Sequence, residues 1–152
     1  MDNDLKIILT VGIPGCGKTT WTKEFLKNNS NYIRASRDEY RYMLRNEQFC
    51  SPLIEALITK YIIHDILLAL NNNLNVIIDQ TNLKAKYLNG FIKLLQPLAD
   101  IEFKIFDISL DEAIKRDSLR EKTVGRTVIE KMYKDYINLM NSDFDFSIRY
   151  KN

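Results

Sequence analysis

A short apolar run, Leu5 to Val11, ends in Gly12-Ile13-Pro14-Gly15-Cys16-Gly17-Lys18-Thr19, and a helical stretch with Trp21 and Phe25 four apart follows at once. No other feature of the chain narrows the fold so far. The run has the character of a parallel strand buried on both faces. Glycines let backbone N–H groups curl around an anion without a Cβ in the way, and the first turn of the next helix adds partial positive charge. GxxxxGK(S/T) between strand and helix is a phosphate-binding loop, so Gly12 through Thr20 are expected to cradle the phosphates of a nucleotide. Lys18 is expected to reach the β- and γ-phosphates and the Thr19 hydroxyl to ligate magnesium, which makes ATP and Mg2+ the expected cofactors. Cys16 lies inside the loop near a helix N-terminus, where a thiol pKa tends to fall. It is read either as a small residue filling the loop or as a point of redox inhibition.

Tyr32 to Ser36, Asn75 to Asp79 and Ile101 to Phe106 read as further strands. Apolar residues recur at helical spacing in Leu53 to Leu70, and helices are also expected from Asp38 and over Lys84 to Leu95, Leu110 to Lys122 and Val128 to Met140. Strands alternating with helices predict an α/β fold, a central parallel sheet of about four strands flanked by helices. The 152 residues fit one domain, and no repeat, low-complexity tract or Pro/Gly/Ser linker divides them. Lys plus Arg at 22 against Asp plus Glu at 20 leaves a net +2, which excludes a polycation and leaves any anion site to a few placed groups. Cys16 and Cys50 make no disulfide framework, the acid-bearing start MDND is no secretory signal, and no run approaches the ~18 apolar residues of a membrane span. A reduced, cytoplasmic compartment and no membrane partner are therefore expected. His64, the one histidine, is placed on the polar side of its helix near Lys60. The tail motif DFDFS resembles the DxDx(S/T) start of haloacid-dehalogenase phosphatases, but few residues follow it and the match is read as chance.

The second strand is followed by Ser36-Arg37-Asp38-Glu39-Tyr40-Arg41. The C-terminal end of a strand beside the phosphate loop is where an open α/β sheet presents ligand groups. Asp38 and Arg41, three apart, share one helix face there. A carboxylate in that place can accept the proton of an attacking hydroxyl, and the arginine one turn on can hold an acceptor phosphate in bidentate fashion. The third strand ends in Asp79-Gln80-Thr81-Asn82. Asp79 can hold magnesium through water or orient loop groups. Thr81 and Asn82 are candidates to line the acceptor or, on the plainer reading, to anchor the loop and cap the next helix. Arg116 and Arg120, four apart in DEAIKRDSLREK, are expected on one helix face as arginines of a lid over ATP, with salt bridges to Asp117 and Glu121 as the alternative. Arg126 lies just beyond, and Gly125 offers a hinge. No NKxD guanine-reading motif is present.

PGCGKTTW, SRDEYR, VIIDQTNL and KRDSLR together resemble the polynucleotide 5′-hydroxyl kinase family, in the form of the kinase domain of phage polynucleotide kinase, from about Lys6 to Tyr136. The resemblance implies a P-loop NTPase fold of the nucleotide-kinase type with a helical lid over roughly residues 112–128. It also implies ATP-dependent phosphorylation of a 5′-hydroxyl end of DNA or RNA. In that likeness Asp38 is the general base and Arg41 grips the phosphate 3′ to the reacting nucleoside. Lys18 and Thr19 serve the ATP phosphates and magnesium, and Arg116 and Arg120 are lid arginines, Arg120 acting on the ATP phosphates. Two details depart from the phage pattern. Asp79-Gln80-Thr81-Asn82 stands where the phage enzyme has Ser-Asp-Thr-Asn, and the stretch from Arg120 to Tyr133 is one residue shorter, which leaves Arg126 without a match. The whole of 1–152 is thus expected to be a single kinase domain lacking a phosphatase domain, of phage or virus origin and acting in the host cytoplasm. Two other classes stay open at this point: a kinase of a small metabolite, antibiotic or nucleoside, and an ATP-binding switch that transfers nothing.

Overall fold

The computed structural model of the chain describes residues 4–147. In chain order these form β1 (Lys6–Val11), α1 (Lys18–Asn28), β2 (Tyr32–Ser36), α2 (Arg37–Arg45) and α3 (Pro52–Asn71). Then come β3 (Asn75–Asp79), α4 (Ala85–Leu95), β4 (Asp100–Ile105), α5 (Leu110–Ser118) and α6 (Arg126–Met140). The four strands make one parallel sheet in the order β2-β3-β1-β4. That is the α/β architecture expected from the alternation of elements.

Burial explains why β1 and β3 read as unbroken apolar runs. Both are central, and Ile7, Leu9, Val76, Ile77 and Ile78 are fully buried. Side chains alternate across the sheet, so Leu9 and Ile78 enter the large core with Ile58, Ile62 and Ile66 of α3, Leu88 and Leu95 of α4, and Ile129 of α6. Removing the side chain of any of these to Ala is worth about 2–5 kcal/mol of stability. No helix among the described residues is long and apolar enough to cross a membrane.

Serine caps start three helices: Ser36 accepts from the Glu39 N–H, Ser51 from Ile54 and Ser109 from Glu112. Helix α1 differs. Its cap is Gly17 at φ 99°, with no side-chain oxygen on the first turn, so its N–H groups stay free for an external acceptor.

Two boundaries depart from the sequence reading by more than one residue. The helix expected to reach Lys122 stops at Ser118, because residues 119–125 turn back toward the Asp117 carboxylate. The last helix begins at Arg126, two residues before the apolar pattern starts at Val128. In DFDFS the phenylalanines do the work: Phe144 and Phe146 meet the Phe103 ring edge-on at 5.6 and 5.2 Å, and Asp143 and Asp145 are exposed. The chain start up to Asn3, and the tail from 148 on, lie outside the described residues.

Candidate active site

Strands β1, β2 and β3 end on one edge of the sheet, and their following loops enclose a cleft of about 690 Å³. Its floor is the phosphate loop. The Gly12 N–H donates to the Thr81 carbonyl at 3.0 Å, tying the loop to the end of β3. Gly15 and Gly17 turn the chain at φ 83° and 99°, where a Cβ is strained. The buried Lys18 Nζ donates to the Gly12 and Ile13 carbonyls, both at 2.9 Å, and approaches Cys16 Sγ at 3.5 Å. No carboxylate pairs with it among the described residues, so this buried ammonium is left for an anion to complete. Beside it Thr19 Oγ1 donates to Asp79 Oδ2 at 3.3 Å, and the same oxygen accepts Arg34 Nε at 2.8 Å.

One wall is the start of α2. Ser36 caps that helix and so brings Asp38 into its first turn, with three quarters of its side chain exposed to the cleft and solvent. Arg41 Nη1 donates to Asp38 Oδ1 at 2.6 Å. On its other side Arg41 is gripped twice by Glu55 of α3, from Nε at 2.6 Å and Nη2 at 3.1 Å. Arg37 joins the same carboxylate at 2.9 Å and also donates to the Glu55 carbonyl and the Thr59 hydroxyl. Burial by itself pushes the Glu55 carboxyl up, but hydrogen bonds and charge from Arg41 and Arg37 outweigh it and hold the carboxyl below its ordinary range. Arg41 is the mirror case: burial lowers it, and Glu55 with Asp38 carries it above its ordinary value.

The opposite wall is the end of α5 with residues 119–125. Arg116 Nη1 reaches the Gly15 carbonyl at 3.4 Å while its Nε pairs with Glu112 at 3.1 Å. Arg120 stands in the turn after the helix rather than on it, half exposed and facing the cleft. Lys122 Nζ sits 3.6 Å from the ring centre of Tyr42, and Gln48 donates to the Thr123 carbonyl at 3.0 Å, so this wall touches the α2 side.

Lys18, Thr19, Thr20, Asp38, Arg41, Asp79, Thr81, Arg116 and Arg120 all line the one cleft, with Pro14, Gly15 and Gly17. Ile13 and Cys16 are buried side chains, so their part in the loop is backbone. Asn82 is buried too, and its Nδ2 donates to the Thr10 carbonyl at 2.7 Å, the anchoring alternative of the sequence reading. Arg126 pairs with Glu130 on the surface, and the exposed His64 lies beside Asp65. Sequence reasoning missed Arg34, Arg37 and Glu55. Arg37 sits inside the quoted SRDEYR block, whereas Glu55 reads from sequence only as an acid in the first turn of an apolar helix.

A chain in the structure of the Pnkp1/Rnl/Hen1 RNA repair complex matches this fold with a TM-score of 0.88 and 32% identity, over 96% of this chain and 48% of that one. The "Putative bifunctional polynucleotide kinase/RNA ligase" of Autographa californica nuclear polyhedrosis virus is 24% identical over 156 residues, covering 91% of this chain and 22% of the viral protein. The chain therefore spans about half the length of the first relative and about a fifth of the second. A gluconokinase from Sinorhizobium meliloti shares the fold alone, with a TM-score of 0.57 and 13% identity over 87% of this chain and 75% of that one. Residues 7–144 match the model of an AAA domain, AAA_33, and the chain belongs to that family as a P-loop domain with a kinase fold.

Proposed function

We propose that this chain is the kinase domain of a polynucleotide 5′-hydroxyl kinase, which moves the γ-phosphate of ATP to the 5′-hydroxyl end of DNA or RNA. One observation carries the reading: Lys18 and Thr19 on the floor of a single cleft face an Asp38–Arg41 pair that Glu55 holds in place. Residues 1–152 act as one kinase domain, with the lid over about 112–128. The relatives above, one in an RNA repair complex and one with polynucleotide kinase in its name, support a nucleic-acid acceptor.

The residues divide the reaction as follows. Backbone N–H groups from Gly12 to Thr20, with the Lys18 ammonium, bind the donor phosphates. A magnesium ion would be held by the Thr19 hydroxyl, with the neighbouring Asp79 carboxylate holding it through water, both hard oxygens, and would supply neutralisation of phosphate charge. Asp38, tethered through Oδ1, takes the proton of the attacking 5′-hydroxyl. Arg41 uses one N–H at Nε, one at Nη2 and one at Nη1 for Glu55 and Asp38, which leaves one N–H on each terminal nitrogen. Those two grip the phosphate on the 3′ side of the reacting nucleoside. Arg120, with Arg116 beside the phosphate loop, stabilises the charge that develops during transfer, and Thr81 lines the acceptor side.

Arg41 makes the acceptor testable. Its loss removes about two charge-assisted hydrogen bonds to the acceptor as well as the tether on Asp38, so Arg41→Ala is expected to lower kcat/KM for both acceptors, and by roughly 100-fold more for a nucleoside 3′-phosphate than for the bare nucleoside. Equal losses on both acceptors in steady-state assays would remove the phosphate-gripping role.

A further inference from the structure

The sequence suggests Asp117 as a surface partner for Arg120, but its carboxylate is buried, with 4% of the side chain exposed, and Arg120 stands 3.9 Å away. Its close partners are two backbone N–H groups eight residues down the chain at most, Val124 at 2.8 Å on Oδ1 and Gly125 at 3.0 Å on Oδ2. A carboxylate that accepts two N–H groups, one on each oxygen, is a strong and directional clamp. Here it closes residues 119–125 into a loop whose far end is pinned to the Asp117 side chain, while the near end is held by the Arg120 N–H on the Asp117 backbone carbonyl at 3.0 Å. Ser118 ends α5 and Gly125, at φ 99°, caps the start of α6, so the clamp stands at the junction of both helices. Within the loop are Arg120 and Lys122, both lining the cleft. The far side of the loop is held as well, by Lys122 over Tyr42 and by Gln48 on the Thr123 carbonyl.

We infer that Asp117 is a positioning residue: it holds the lid loop in a preformed shape and acts on the nucleotide only through Arg120. This rests on the kinase reading above, but only on its donor half. A half-exposed arginine loses rotamer freedom on being fixed, and a flexible loop would add the entropy of several backbone residues. With the loop already clamped, Arg120 meets the γ-phosphate side of the cleft from a fixed base. Lid movement is then a swing of the α5–α6 corner as one body, not the folding of a loose segment.

A double-mutant cycle in ATP affinity, measured by nucleotide titration with no acceptor present, tests this without depending on which hydroxyl is phosphorylated. Arg120→Ala is expected to weaken ATP binding about tenfold, and Asp117→Ala by a similar factor. The double variant should be no weaker than Arg120→Ala alone, because the loop's other cleft cation, Lys122, is held over Tyr42 and not by the clamp. Asp117→Asn keeps one carbonyl acceptor and the side-chain volume, and is expected to fall between wild type and Asp117→Ala. Hydrogen exchange at the Val124 and Gly125 amides should accelerate in both Asp117 variants while the β3 amides stay protected. Multiplicative losses in the double variant, or unchanged exchange at those two amides, would overturn the inference and leave the kinase reading intact. Wild-type protein that fails to bind ATP would sink both.

Discussion

At the scale of single residues, the α2 wall of the cleft is held by a carboxylate from the next helix. Glu55 reaches across from α3 to hold Arg41 by two bonds and Arg37 by another, and Arg41 in turn steers Asp38. Its carboxyl is held below the ordinary value of 4.5, so its contribution to stability is complete above that pH and fades as pH falls through the lower folded value. Glu55→Gln is therefore expected to melt below wild type near neutral pH, with the gap closing under about pH 4.5, as thermal unfolding across pH would show. A gap that stays constant down to pH 3 would contradict the charge pairing. Asp38 and Arg41 were legible from their spacing at a strand end, because a helix start has only one face toward the cleft. Glu55 was not, since its partners lie 14 and 18 residues away and only the packing of α3 on α2 brings them together.

Elements position these groups through close backbone contacts. The order β2-β3-β1-β4 gathers the ends of three strands, and the loop after β1 then rests against α5. A Cβ on Gly15 would lie 2.9 Å from the Ala113 carbonyl, at a φ of 83° that side chains rarely adopt. Gly15→Ala must therefore push the phosphate loop and α5 apart. The expected result is ATP binding weakened tenfold or more, with Arg116 drawn away from the Gly15 carbonyl; unchanged affinity in a nucleotide titration would contradict the contact. All four strands and the positions of α1 to α4 were readable from apolar runs, helical period and the glycine loop. The end of α5 was not: Leu110 to Lys122 keeps a helical composition, and the clamp at Asp117 that stops it is a tertiary contact invisible to period. The same contact moves Arg120 off the helix face on which spacing placed it.

Across the whole molecule, charge is nearly balanced at net +2, so binding rests on groups inside one cleft and not on a basic face. Few phosphates are then neutralised, and affinity for internal nucleic acid should be weak and only shallowly dependent on salt. End recognition needs no more than that. The phosphate loop, the Asp38–Arg41 wall, the end of β3 and Arg116 with Arg120 meet in this cleft, so residues from all four short motifs line it. The most direct measurement offers γ-labelled ATP with 5′-hydroxyl DNA, 5′-hydroxyl RNA, nucleoside 3′-phosphates and a panel of hydroxylated metabolites, to wild type and to Asp38→Ala. The account predicts label on 5′-hydroxyl ends with wild type, and none with Asp38→Ala although that variant still binds ATP. Label confined to a metabolite, or an Asp38→Ala variant that labels ends as fast as wild type, would contradict it.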